Sequence, residues 1–236
     1  MKIFVIGGHK NGTWSLHNFF INNGLNSVHG NFWMNQGKHF IDKYDCFSDH
    51  FAERLINLTN QYKKNPVVQL LEWYPDSIFI LNYRDLHGYI KSLCNHLSIN
   101  YIKNNNIWKW KDPNKQGGET IKSVSERIIN THNSNKFIIE YFKKNKLMNR
   151  LLVLNILGNE STNTNILNNF LIKHKAIENA IHTFKNVKHM SHCDESIEEE
   201  VNMMTKSKII SVKQLIPIGE KEYIDYLDIY YKLHRN

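Results

Sequence analysis

Residues 2–15 read Lys2-Ile3-Phe4-Val5-Ile6-Gly7-Gly8-His9-Lys10-Asn11-Gly12-Thr13-Trp14-Ser15. The apolar, largely β-branched run Ile3 to Ile6 stops at a glycine pair, which is the pattern of a short buried strand. From Thr13 onward, Leu16, Phe19 and Phe20 recur at helical spacing, and Asn22-Asn23-Gly24 ends that pattern. A strand, a glycine-bearing loop and a helix in this order gather backbone N–H groups, with the partial positive charge of a helix start, around one point. Glycine lets the backbone come close to an anion. Lys10 adds a full charge, and Thr13 and Ser15 add hydroxyl donors. The stretch therefore predicts a phosphate-binding loop over Gly7 to Ser15. Gly7 and Gly12 have the spacing of a Walker A loop, but Thr13 stands where that loop has its lysine, and Lys10 lies three positions earlier. An ordinary tight strand-to-helix turn is the alternative reading.

Outward from this loop, strands alternate with helices. A short strand is expected at Ser27 to His29. An amphipathic helix is expected from Asp49 to Tyr62, with Phe51, Leu55, Leu58 and Tyr62 on one face, and a second helix from Pro66 to Trp73. Pro75-Asp76 makes a turn. Ile78 to Asn82 reads as a buried strand ending in Arg84-Asp85, with a helix from Leu86 to about Asn100. Asn104 to Gly118 reads as irregular. A long helix follows from Glu119 to Lys144, broken near Asn133, then a strand at Leu151 to Leu154 and a helix from Asn163 to Lys173. A final helix is expected from Glu220 to Leu233. The alternation predicts an α/β fold, a parallel sheet with helices on both faces. Ligands of such sheets bind at the carboxyl ends of strands. Arg84 is at such an end, and Ser92 lies about two turns into the following helix, so the pair suits a second phosphate. A structural ion pair and a cap at Asp85 is the alternative.

The 236 residues carry a net charge of +8 and are 41% apolar. That supports a real core and a preference for anionic partners. The lysines are dispersed; the densest group, Lys143, Lys144 and Lys146, reads as a solvated helix face, so nucleic acid is disfavoured. The three cysteines, Cys46, Cys94 and Cys193, form no paired framework and point to a reducing compartment. No apolar stretch is long enough to span a membrane and no secretory signal is read, so a cytoplasmic setting is expected. Asparagine is roughly one residue in seven, against ordinary usage a compositional bias. His189, His192 and Cys193 cluster with Asp194 next, but metal binding needs a closed first shell and is disfavoured. Trp108 and Trp110 read either as an acceptor-binding loop or as packed under the sheet.

Taken together, the two anion-binding segments resemble the sulfotransferases that use 3′-phosphoadenosine 5′-phosphosulfate (PAPS). That family's loop, of the type Pro-Lys-Thr/Ser-Gly-Thr-Thr-Ser/Trp, is matched by His9-Lys10-Asn11-Gly12-Thr13-Trp14-Ser15. Its second motif, an Arg after an apolar strand with a Ser eight positions on, is matched by Arg84 and Ser92. Tyr74 to Leu81 resembles the approach to that strand, and Leu151 to Asn155 a later one. His9, Asn11 and Trp14 depart from the family pattern, and no Arg-Lys-Gly segment is found near the C-terminus.

The resemblance covers about residues 1–172. It implies a P-loop-like sulfotransferase architecture, a single domain over 1–236, with 173–236 a mostly helical C-terminal part. It also implies transfer of a sulfuryl group from PAPS, leaving 3′-phosphoadenosine 5′-phosphate (PAP), to a hydroxyl or amine of a carbohydrate or small molecule. No metal is expected. The residues it assigns to the nucleotide are His9, Lys10, Asn11, Gly12, Thr13, Trp14, Ser15, Arg84 and Ser92. Lys10 is expected to stabilise charge in the transition state. Asp49 is the candidate general base, with an N-cap as its alternative role; His50 is a close alternative, and His9 and His29 lesser ones. The competing readings are a magnesium-dependent P-loop kinase or NTPase and a non-catalytic polyanion-binding protein.

Overall fold

A computed structural model describes residues 1–8, 10–30, 33, 36–49, 51, 66–84, 92, 99–102, 107–110, 118–179 and 182–185. The chain divides into two compact units, one of residues 1–85 and 133–189, the other of 86–132 and 190–236.

In the first unit, β1 (Ile3–Val5) leads through the Gly7–Ser15 loop into α1 (Thr13–Asn22). Then come β2 (Ser27–His29), α2 (Gly37–Ile41), β3 (Cys46–Ser48), α3 (Pro66–Trp73) and β4 (Ile78–Tyr83). The strands form a five-stranded sheet in the order β2-β3-β1-β4-β8, where β8 is Leu151–Asn155. Every pairing is parallel; Ile3 lies opposite Cys46 on one side and Ile78 on the other. The order places β1 at the centre, so the loop that follows it opens between the ends of β3 and β4.

Both faces of the sheet are buried, as parallel strands require. Ile3, Val5, Ile78 and Ile80 pack with Leu16, Phe19 and Phe20 of α1 and with Leu167 and Leu171 of α5 (Glu160–Lys173). On the opposite face, Phe4 stacks against Trp33 and Phe47, and Phe79 meets Phe142 of α4 (Ile121–Lys144) with ring centroids 5.1 Å apart. Alternate residues of one strand thus feed two cores. Helix α1 stops in a Schellman turn: Leu25 N–H donates to Phe20 O, Gly24 N–H to Ile21 O, and Gly24 has φ +79°.

The second unit holds a three-stranded antiparallel sheet, β5 (Ile99–Ile102), β6 (Ile107–Trp110) and β7 (Gly118–Thr120), in that order. Here the sequence-based expectation is corrected. Ile99 and Asn100 belong to a strand rather than to the end of a helix, 107–110 and Gly118 lie in strands within a stretch expected to be irregular, and Glu119 and Thr120, expected to open the long helix, complete the third strand. Strand formation there depends on cross-strand partners, which local propensity does not reveal. Trp108 and Trp110 both fall on β6.

Two further differences concern helices. The long helix starts at Ile121, not Glu119, and runs unbroken through Asn133. Helix α5 begins three residues earlier than expected, at Glu160, because Asn159 caps it: its Oδ1 accepts from Thr162 N–H at 3.1 Å. The expected helices over 49–62 and 220–233 fall largely or wholly outside the described residues, apart from Asp49 and helical Phe51.

Candidate functional site

The loop is built around a buried side chain of the neighbouring strand. Asn82 on β4 accepts a hydrogen bond from Gly7 N–H at its Oδ1 (3.0 Å) and donates from Nδ2 to Asn11 O (2.6 Å). It is fully buried and so ties both ends of the turn to the sheet. The fit requires glycine twice. A Cβ on Gly7 would stand 2.0 Å from Asn82 O, and one on Gly12 would stand 2.5 Å from Ile156 Cγ2. Gly12 also has φ +76°. It is the N-cap of α1 and has no side chain to satisfy the first-turn N–H groups. Asn11 is buried, and its Oδ1 has no hydrogen-bond partner among the described residues.

Backbone conformation singles out the same place. Four described non-glycine residues have positive φ: Lys10, Asp49, Lys146 and Lys175. Lys146 and Lys175 follow α4 and α5 and close their helix ends, donating to Lys143 O and Ile172 O. Lys10 (φ +64°) and Asp49 (φ +95°) have no such role. Strain of this kind costs about 1–3 kcal/mol per residue and gathers at functional sites.

Asp49 follows β3 and is joined to the loop: Thr13 Oγ1 donates to Asp49 Oδ1 over 3.4 Å. Its other oxygen, Oδ2, lies 3.8 Å from His29 Nε2. His29 Nδ1 is 2.9 Å from Ser48 Oγ, and His17 Nδ1 is 2.9 Å from Ser27 Oγ. Trp14 covers this group, with ring centroids 5.0 Å from His29 and 5.1 Å from His17. Burial lowers the pKa of His17 below its ordinary value.

Helix α1 thus has two flanks with different neighbours. Trp14 and His17 face β2. On the other flank a cavity of about 290 Å³ lies between Ser15, Asn18 and Asn22 of α1 and the segment His182, Thr183 and Lys185. That segment is pinned at three points. His182 N–H donates to Asn23 Oδ1, Phe184 N–H donates to Thr164 Oγ1, and the Phe184 ring is buried against Phe19.

Of the residues expected from sequence, Lys10 to Ser15 share the loop, Asp49 contacts it through Thr13, and half-buried Arg84 follows β4 two residues after Asn82. Ser92 is helical and belongs to the second unit. His9 and His50, the two other histidine candidates beside His29, lie outside the described residues, as do Asp85, His189, His192 and Cys193. Among the described residues no three His, Cys, Asp or Glu side chains gather as a metal site, and no helix is long and apolar enough to cross a membrane. Sequence reasoning missed Asn82, His17, Ser48 and the 182–185 segment. Asn82 had a signal: it is the one polar residue in Ile78-Phe79-Ile80-Leu81-Asn82-Tyr83 apart from the terminal tyrosine hydroxyl.

Residues 2–153 match the family model described as a sulfotransferase domain. No curated protein matches the chain.

Proposed function

The chain belongs to the sulfotransferase domain family, and from that premise we propose that it transfers a sulfuryl group from PAPS to a hydroxyl or amine of a carbohydrate or other small molecule. The observation that supports the donor assignment is the loop held by Asn82, with glycines at two positions that have no room for a side chain and with Lys10 and Asn11 between them. Such a cradle suits the oxygens of a phosphosulfate. In this reading His9 to Ser15 hold the 5′-phosphosulfate, and Arg84 with Ser92 holds the 3′-phosphate.

Sheet order supports the division of labour. Asp49 and Arg84 follow β3 and β4, the two neighbours of β1, and so flank the loop on opposite sides. In-line transfer needs acceptor and leaving phosphate on opposite sides of sulfur. We assign the nucleotide to the Arg84 side and the acceptor to the Asp49 side, with Trp14 beside it. Lys10 and the loop N–H groups stabilise the charge that develops on the leaving oxygen. Asp49 takes the acceptor proton, with His50 as the alternative. The cavity beside Ser15, whose walls mix polar side chains with Phe19, has room for part of the nucleoside. No residue role here requires a metal. A single domain over 1–236 and a cytoplasmic setting belong to the same proposal.

The test is a thermal melt with PAP in the absence of magnesium, compared with ATP. A ligand bound only by the folded state at about 100 times its dissociation constant adds roughly 2.7 kcal/mol. A rise in Tm with PAP that is lost in Arg84→Ala and weakened in Lys10→Ala supports the donor assignment. A magnesium-dependent rise with ATP and none with PAP replaces it with the kinase reading.

A further inference from the structure

Thr13 has one hydroxyl proton, and it is directed to Asp49 Oδ1. Asp49 Oδ2 faces His29 Nε2 at 3.8 Å, and the other ring nitrogen of His29 lies 2.9 Å from Ser48 Oγ. Both nitrogens of His29 thus look onto protein groups, so the ring acts on an acceptor only through Asp49. Asp49 is buried, 9% exposed as a residue, and has a backbone conformation that side-chain-bearing residues rarely adopt. It is shared between a residue of the anion loop and an imidazole.

The sharing sets up a competition. Phosphate and sulfuryl oxygens are acceptors and need donors from the loop. A single O–H cannot be aimed at such an oxygen and at Asp49 at once. We propose that a nucleotide in the loop draws the Thr13 hydroxyl away from Asp49 and leaves the carboxylate to His29, so that the base is armed only when the donor is bound. This rests on the donor reading of the loop given above. His29 is a positioning residue for Asp49. With Nδ1–H donating to Ser48, its Nε2 is left to receive a proton from Asp49. In the reaction the acceptor oxygen bonds to sulfur and the bond from sulfur to the nucleotide phosphate breaks. The acceptor proton goes to Asp49 and on to His29 Nε2, and nothing is oxidised or reduced.

The order of events has a chemical advantage. In the empty protein the Thr13 hydroxyl occupies Asp49 Oδ1, and the acceptor is engaged only after the donor has drawn that hydroxyl away. Among the described residues, the titratable groups facing His29 are Asp49 from β3 and His17 from α1, whose ring centroid is 5.4 Å away. The Trp14 indole covers both rings. His17 responds to the same pH range, so its signals must be separated from those of His29.

The experiment is long-range ¹H–¹⁵N NMR of the imidazole rings across pH, with His29 assigned by His29→Gln and His17 by His17→Gln, and PAP as the probe. A carboxylate relieved of its donor favours the imidazolium beside it. With saturating PAP the His29 ring should titrate at least about half a pH unit higher, a threefold gain in proton affinity. Thr13→Val should show that shift without nucleotide and gain nothing from PAP. Thr13→Ser should behave as wild type, and Asp49→Asn should abolish the response. An unshifted His29 in Thr13→Val, with PAP binding intact in the wild type, overturns the coupling and leaves the donor reading standing. A shift in Thr13→Val with no PAP binding to the wild type removes the donor reading and leaves the coupling of Thr13, Asp49 and His29 in place.

Discussion

Gly7 and Asn82 touch in two ways: the Gly7 N–H donates to Asn82 Oδ1 at 3.0 Å, and the place where a Gly7 side chain would start is 2.0 Å from Asn82 O. The second relation explains the first. Only a residue without a Cβ lets β1 and its loop come close enough to β4 for that bond, and Asn82 then reaches Asn11 O with its other end. The loop is therefore held by strand β4, whose next described residue but one is Arg84. The loop and Arg84 thus share one support.

Gly7→Ala should destabilise the fold by about 1–3 kcal/mol, the range for overpacking a tight contact. It should also abolish the melting response to PAP, because β1 cannot shift without moving the loop. Urea unfolding with and without PAP reads both. Retention of wild-type stability and PAP response would show that the backbone relaxes at no cost.

Asn82→Asp keeps the size of the side chain and removes the donor to Asn11 O, placing a carboxylate oxygen against a carbonyl. Leaving such buried groups unsatisfied costs about 1–3 kcal/mol, more for a charged group. The loss should fall on PAP affinity as well as on stability, measured by calorimetric titration. A variant as stable and as tight-binding as wild type would remove Asn82 from the site.

Gly12 carries two constraints that a pair of variants separates. Gly12→Ala meets Ile156 Cγ2 at 2.5 Å and also forces a side chain into φ +76°. Gly12→Ala with Ile156→Ala relieves the contact and keeps the backbone strain, which in the left-handed region costs roughly 1–2 kcal/mol. The double variant should recover part of the PAP affinity lost in Gly12→Ala. Full recovery would mean that Ile156 alone dictates glycine here.

Phe184 is 1% exposed and packs on Phe19. Phe184→Ala should cost about 3–5 kcal/mol and release the 182–185 wall of the cavity beside Ser15. Denaturant unfolding gives the first quantity. If the cavity takes part of the nucleoside, the affinity for PAP should fall more than that for inorganic pyrophosphate. Equal losses would place the nucleoside elsewhere.

His17 gives a pH dependence with a definite sign. Burial holds its pKa below the ordinary 6.5, so the unfolded chain binds a proton that the folded one resists. Stability is then full above 6.5 and falls as pH drops through that value toward the lower folded pKa. Urea unfolding at pH 7.5 and 5.5 should show a smaller drop in His17→Gln than in wild type. An equal drop would place the titration on other groups.

The strand-loop-helix unit, the parallel α/β class and the candidates on one loop were legible in the sequence because their causes are local: short continuous apolar runs, helical spacing in Leu16, Phe19 and Phe20, and glycines at the turn. The three-residue strand Cys46–Ser48 was not legible, since so short a run has too little pattern of its own and gains its partners from β1 and β2. Nor was the antiparallel sheet of 99–120, which rests on cross-strand pairing. Asp49 was legible as a candidate, but its bond to Thr13, 36 positions away, was not. Asn82 lies 75 positions from Gly7, and only the register of β4 on β1 brings them together. The sequence by itself determined which residues could hold an anion, through their side chains and their local backbone freedom. The tertiary structure alone decided which of them share a hydrogen bond, because that depends on how distant segments pack, and packing is a property of the whole core.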